Sequence, residues 1–257
     1  MAPRRVVSLC PSITETLVAI GGLKRLAAAT RYCVRPKGLL WGLPRIGGTK
    51  DPDIGRILDL KPDLVFANEE ENRIEDVKAL EAAGIELDVT FPRTVAEVPG
   101  AIRQWGMRLE EGAELEAESL ARRIEEEHAA LARESPPLPF LYAYWIWKDP
   151  WMTVSDDTYI ADLVRLAGGV NVFGREPERY PASTPQDALA LGADVHFFPS
   201  EPYPFRRQRH EALTEQLFGR ERVRLFVEGD DYCWHGVRTL DGLKAMRQLR
   251  KRLETQR

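Results

Sequence analysis

The sequence is poor in the residues that build covalent or metal frameworks. Only three cysteines and four histidines stand among its 257 residues. Cys10, Cys33 and Cys233 are far apart and form no Cys-x-x-Cys pair. Neither a zinc ribbon nor a disulfide scaffold is therefore indicated. Three buried thiols are expected, with a single bridge left open. His128, His196, His210 and His235 lack zinc-ligand spacing, and His128 and His196 sit in apolar patterns that mark them as packing residues. No apolar run approaches the ~18 residues of a membrane span. The first ten residues are basic and then apolar too briefly for a secretory leader. A cytoplasmic protein is expected on that ground, with the periplasm or cell surface as the alternative for a processed form. A basic excess is also missing: 36 Lys and Arg face 40 Asp and Glu, a net charge of −4, which argues against a nucleic-acid binder. Gly-x-Ser-x-Gly, His-Glu-x-x-His and Gly-x-Gly-x-x-Gly do not occur, so no hydrolase, metalloprotease or dinucleotide signature is present.

What is present is a repeated strand and helix pattern. Hydrophobic residues make up 44% of the chain, enough for a sizeable core. Apolar runs at Arg5–Leu9, Leu26–Thr30, Leu64–Ala67 and Ile85–Val89 read as strands. Helices are expected over Ile13–Ile20, from Asp51-Pro52 to Leu60, and over Arg73–Ala83. Such β-α alternation predicts a parallel sheet with helices on both faces. A long stripe follows: Ala113, Ala117, Leu120, Ala121, Ile124, His128 and Leu131 recur at helical spacing. At 1.5 Å per residue it predicts one helix roughly 30 Å long, ended by Ser135-Pro136-Pro137. A second series has strands at Phe140–Trp145, Met152–Val154, Val195–Phe198 and Val223–Val227. Its helices are expected at Tyr159–Ala167, Pro185–Leu191, Arg206–Phe218 and Thr239–Glu254. The expected fold is α/β: two Rossmann-like lobes (1–110 and 136–257) joined by one helix (111–135), with a ligand cleft between them.

In parallel α/β sheets ligands bind beyond the carboxyl ends of the strands. Those segments here hold Tyr32, Trp145, Trp147, Trp151, Tyr203, Tyr232 and Trp234, aromatic faces suited to a flat, partly apolar ligand. Trp105 is expected in the core. Gly47-Gly48-Thr49-Lys50-Asp51-Pro52 allows close backbone approach before a helix, which suits either an anion or a tight capped loop.

The segments VVSLCPSITETL (6–17), RIGGTKDPDIGRILDLKPDLVFA (45–67) and YIADLVRLAGGVNVF (159–173) resemble periplasmic substrate-binding proteins of ABC importers. The resemblance is to the helical-backbone class that takes vitamin B12, siderophores and haem, and within it to the cobalamin-binding branch. It implies two α/β lobes on one long helix and non-catalytic binding of a metal chelate. It implies a ligand site of Ser12, Tyr32, Gly48, Thr49, Asn68, Trp145, Trp147, Tyr203, Asp230, Trp234 and Arg238. Thr49 stands where the cobalamin binder carries tryptophan. Docking on a permease is implied through carboxylates near Ile74 and Gln186, namely Glu71, Glu75 and Asp187. No resident cofactor or structural metal is expected; a corrinoid or haem would be cargo, for which Tyr32, Cys33 and His235 are candidate axial ligands. A monomer is expected, with no nucleic-acid partner and no membrane-embedded segment. Two alternatives stay open. One is an enzyme of corrinoid or chelate metabolism using Asp230, Asp231, Glu69, Glu70 and His235 as acids or bases. The other is a partner-binding module with a vestigial cleft.

Overall fold

A computed structural model describes residues 5–109, 112–134 and 138–255. The lobe boundaries drawn at 110/111 and 135/136, and the Ser135-Pro136-Pro137 stop, lie outside the described residues. The chain divides into two units. The first comprises Met1–Pro92, Ala96–Glu126 and His235–Arg238, and the second Arg93–Val95, Glu127–Trp234 and Thr239–Arg257.

The first unit is built on β1 (Val6–Ser8), β2 (Leu26–Ala29), β3 (Leu64–Asn68) and β4 (Glu86–Thr90), all parallel, in the order β2-β1-β3-β4. Every residue of β1 and β3 is buried, as central strands covered on both faces must be. Val7, Leu9, Val65 and Ala67 form a core with Ile46, Ile57 and Leu80. Helices α1 (Pro11–Ala19), α2 (Ile54–Asp59), α3 (Ile74–Ala82) and α4 (Val98–Leu109) flank the strands in sequence. Pro11 at the first helical position starts α1 two residues before Ile13. Trp105 on α4 is fully buried, as expected. Helix α5 (Ala113–Arg133) has the bounds its apolar stripe required, and Ala113, Ala117, Leu120, Ala121, Ile124 and Leu131 are buried. Its residues through Glu126 group with the first unit and those from Glu127 with the second. Gly106 of α4 lies so close to Ala117 that a side chain there would collide with it.

The second unit repeats the plan. β5 (Phe140–Tyr144), β6 (Gly169–Asn171), β7 (Val195–Pro199) and β8 (Val223–Val227) run parallel in the order β6-β5-β7-β8. They are accompanied by α6 (Tyr159–Arg165), α7 (Pro185–Ala190), α8 (Arg207–Phe218), α9 (Gly229–Cys233) and α10 (Thr239–Thr255). Its core is aromatic, with Trp145, Phe173, Phe198, Phe205 and Phe218 all buried. Two expectations are corrected. Met152–Val154 is not a strand, because Met152 forms only isolated bridges to Trp147 and Ala182. The edge strand β6 lies where glycines appeared only to close a helix. Gly169 packs against Val164 and the Tyr142 ring, where a Cβ would come within 2.6 and 2.9 Å of them.

In both sheets the first strand is followed by a neighbour on one side and then on the other. The switch points fall between β1 and β3, and between β5 and β7.

Candidate ligand-binding site

At the first switch point the loops after β1 and β3 are locked together by buried polar groups. Asn72 donates from Nδ2 to the carbonyls of Leu9 (3.2 Å) and Thr49 (3.0 Å), and its Oδ1 accepts from Asn68 N. Asn68 donates to Thr90 O at 3.0 Å, and its Oδ1 accepts from Glu70 N and Glu71 N. His235 completes the cluster, its Nε2 lying 3.4 Å from Ser12 Oγ and 3.3 Å from Asn68 Nδ2, with its ring against Trp105. Burial holds the His235 imidazole down to about 4, so it is neutral at pH 7.

Ser12 and Asn68, expected ligand contacts, and His235, a candidate axial ligand, are 4, 2 and 7% exposed, and their polar atoms are hydrogen-bonded within this loop cluster, as buried polar groups generally are. The spacing of Ser12 and His235 imitates a nucleophile and its base, but the pair lacks access. Cys33 is likewise removed as a metal ligand: it is fully buried, with Sγ within 3.0 Å of Thr14 Oγ1 and 3.1 Å of Thr30 Oγ1. All three cysteines are free, and burial raises the Cys10 thiol to about 12. Arg238 is also engaged, in a two-pronged ion pair with Glu15 (2.8 and 3.0 Å). Its charge is neutralised within the first unit.

Tyr32 remains available, at 51% exposure. The Arg31 guanidinium lies over its ring, 5.0 Å from the centroid, and is paired to Asp51 at 3.1 Å. Gly48 sits beneath them. A Cβ there would come within 2.9 Å of Arg31 and 3.0 Å of Tyr32, besides striking Asp51. Glycine is therefore the residue that lets the loop approach this stack. The Gly-Gly segment is a tight loop: Gly47 bridges Pro52, and Asp53 caps α2 by accepting from Arg56 N at 2.9 Å. Its own carboxylate thus takes the place of an anion. Thr49 is nearly buried at 9%.

In the second unit the loops after β5 and β7 meet through Tyr203 N, which donates to Ile146 O at 3.2 Å. Trp147 is 41% exposed and meets the half-buried Tyr203 edge to face at 5.6 Å. Trp145, two residues earlier, is a correction: it is fully buried against Trp151, Phe173 and Phe218, and its Nε1 donates to His196 Nδ1. The strand ends at Tyr144, so side-chain alternation does not carry from Trp145 to Trp147. Asp230 is 6% exposed on α9, and Trp234 is partly exposed just beyond that helix.

Among the docking candidates, Glu71 and Glu75 are exposed, Glu75 in the first turn of α3. Asp187 is exposed but already employed: its carboxylate accepts from Thr184 N (3.0 Å) and Thr184 Oγ1 (2.6 Å), capping α7. These bonds hold it below the usual carboxylate range. It borders a half-open pocket of about 400 Å³ with Phe173, Glu176, Ser183 and Leu191.

Among the described residues no group of three or more His, Cys, Asp or Glu is placed to hold a metal ion. None of their helices is long and apolar enough to cross a membrane. Exposed aromatic side chains and backbone groups line the two strand-end surfaces, an arrangement suited to holding a flat, partly apolar ligand.

The comparisons agree. A family model described as periplasmic binding protein matches residues 6–193, and the chain belongs to that family. A vitamin B12-binding protein of Yersinia pseudotuberculosis is 28% identical over 250 residues, covering 90% of this chain and 86% of the relative. One from Photorhabdus laumondii is 25% identical over 244 residues, covering 90% and 87%. Among solved structures, the periplasmic vitamin B12 binding protein BtuF of Vibrio cholerae superposes with a TM-score of 0.81 at 23% identity, covering 97% of both chains. The haem-binding RhuT from Roseiflexus sp. gives 0.79 at 23%, covering 97% and 98%. The fold is thus that of periplasmic binding proteins. Family membership overturns the cytoplasmic expectation, because the family is one of periplasmic binding proteins. That expectation rested on the first residues of the sequence, which do not decide a compartment.

Proposed function

We propose that this protein binds a metal chelate of the corrinoid class and delivers it, as a monomer, to an ABC-type permease. The observation that supports this most is the partly exposed Trp147–Tyr203 pair at the carboxyl ends of β5 and β7, in a chain whose curated relatives are named vitamin B12-binding proteins. Each unit contributes contacts of its own: Tyr32, Gly48 and Thr49 from the first, and Trp147, Tyr203 and Trp234 from the second. Micromolar affinity is about −8 kcal/mol. A few aromatic contacts worth ~1–3 kcal/mol each supply much of it after the costs of association. Glu71, Glu75 and Asp187 are the carboxylates we assign to the permease contact.

Titration with cyanocobalamin, cobinamide, ferric haem and ferric siderophores, followed by calorimetry and tryptophan fluorescence, tests the reading. Saturable binding of a corrinoid supports it, and no binding of any chelate removes it. Haem is a second reading, favoured by Tyr32. The residue is half exposed, its hydroxyl lies 3.4 Å from the Arg31 guanidinium, and a tyrosine oxygen is an established type of axial ligand to haem iron. A haem spectrum unchanged by Tyr32→Phe would discard that reading.

A further inference from the structure

The connection between β2 and α2 carries four large apolar side chains in water. Tyr32, Val34, Leu39 and Trp41 are 51, 57, 53 and 89% exposed. Isolated exposed apolar residues need no explanation, but four between positions 32 and 41 do. The loop is also firmly held. Its base is closed by Ala29 N to Pro44 O (3.1 Å), Ile46 N to Ala29 O (3.2 Å) and Arg31 N to Gly47 O (2.8 Å). Above that base Arg45 spans both limbs. Its Nη1 donates to Thr30 O (3.0 Å) and Cys33 O (2.9 Å), and its Nη2 to Leu40 O (3.4 Å). A planar fork of donors can satisfy three carbonyls on two strands of chain in a way a lysine cannot. The pattern on each limb is the same. Cys33 and Leu40 are buried at 0 and 3%, while their neighbours Tyr32 and Trp41 stand in water.

We propose that Arg45 is a positioning residue of the ligand site: it clamps this loop so that Tyr32 and Trp41 meet the apolar face of the bound chelate, with Trp41 a direct contact. This rests on the chelate-binding reading above. The loop leaves the carboxyl end of β2, which neighbours β1, and so lies on the side of the sheet where ligands of parallel α/β folds bind. Aromatic faces fixed before binding spare the ordering cost of a mobile loop.

Lys37–Gly38, inside the loop, is a trypsin site, and its cleavage reports the clamp without any ligand. In the free protein Arg45→Ala is expected to speed cleavage there at least tenfold, and Arg45→Lys by less. Trp41→Ala leaves cleavage and thermal stability at the wild-type level, because that side chain is solvent-exposed. With cyanocobalamin and ferric haem as probes, the chelate bound by the wild type slows cleavage at Lys37–Gly38. Its dissociation constant rises tenfold or more in Arg45→Ala and in Trp41→Ala, while Arg45→Lys recovers part of the loss. Unchanged cleavage in Arg45→Ala overturns the clamp. Unaltered affinity in Trp41→Ala, with a wild type that binds, overturns the loop's place in the site and leaves chelate binding standing. Loop protection by permease-containing vesicles but not by chelate overturns it in favour of a docking surface. A wild type that binds neither probe removes the functional reading and the ligand role of the loop together.

Discussion

Trp145 and Trp147 are two residues apart and opposite in fate, so their alanine variants separate stability from recognition. Trp145 is fully buried, with three aromatic neighbours at centroid distances of 5.2, 6.1 and 5.8 Å. Truncating such a side chain costs about 3–5 kcal/mol through lost transfer energy and the cavity left behind. Leaving His196 Nδ1 without its indole donor adds about 1 kcal/mol. A loss of that size, about 4–6 kcal/mol in all, lowers the melting temperature of a domain of this size by roughly 8–24 °C. Trp147 is 41% exposed, and its main partner is Tyr203. Removing it costs the fold about 1 kcal/mol, the worth of one edge-to-face pair and some area. In the ligand-bound state the same truncation removes a stacking surface worth about 1–3 kcal/mol, a 5- to 150-fold weaker dissociation constant. Thermal melts followed by circular dichroism and calorimetric titration with the bound chelate, on both variants, give the comparison. Trp145→Ala is expected to be unstable but, below its melting temperature, close to wild type in affinity; Trp147→Ala is expected to be the reverse. A stable Trp145→Ala with lost affinity would refute the placement of that residue in the core.

Other outcomes follow from the same structure. Burial holds His196 down to about 3 and His235 to about 4, whereas both take up a proton near 6.5 when unfolded. Their contribution is therefore complete above about pH 6.5 and is lost as the pH falls. It amounts to on the order of 3 kcal/mol for His235 by pH 4, and urea midpoints between pH 7 and 4 should decline less steeply in His235→Asn. Gly47 has φ +88° and faces the Asp51 carbonyl. Gly47→Ala is expected to cost about 2 kcal/mol or more, read by urea denaturation; a neutral effect would show that the loop can relax. Asp187→Ala removes the reciprocal half of the α7 capping box, leaving the Thr184 cap in place, and should lower stability by about 0.5–1 kcal/mol. Asp187→Asn keeps part of the cap without the charge. A transport assay on that variant therefore separates docking from capping, and normal uptake would discard Asp187 as a permease contact.

The parts of the molecule legible in the sequence were those with a repeated period. Helix α5 was readable because its buried residues recur on one stripe over 21 residues. Strands β3 and β7 are readable because central parallel strands, buried along their whole length, are mostly apolar. Strand β6 was not, since three residues beginning with glycine carry no period. The site was only partly legible. Aromatic residues at strand ends were found, but which of two tryptophans faces water depends on where the backbone leaves the sheet. His235 meets Ser12 and Asn68 across 223 and 167 residues of chain, and no local pattern announces such a contact. Trp41 and Arg45 lie inside a segment that composition marks only as loop. A tryptophan flanked by glycine and leucine in such a loop was the one available signal.

The most direct measurement is a calorimetric titration of the purified protein with cyanocobalamin, beside ferric haem and a ferric siderophore under the same conditions. Saturable one-to-one binding of cyanocobalamin is predicted, at micromolar or tighter dissociation constant, with quenching of tryptophan fluorescence that Trp147→Ala diminishes. Flat titrations with all three chelates would contradict the account.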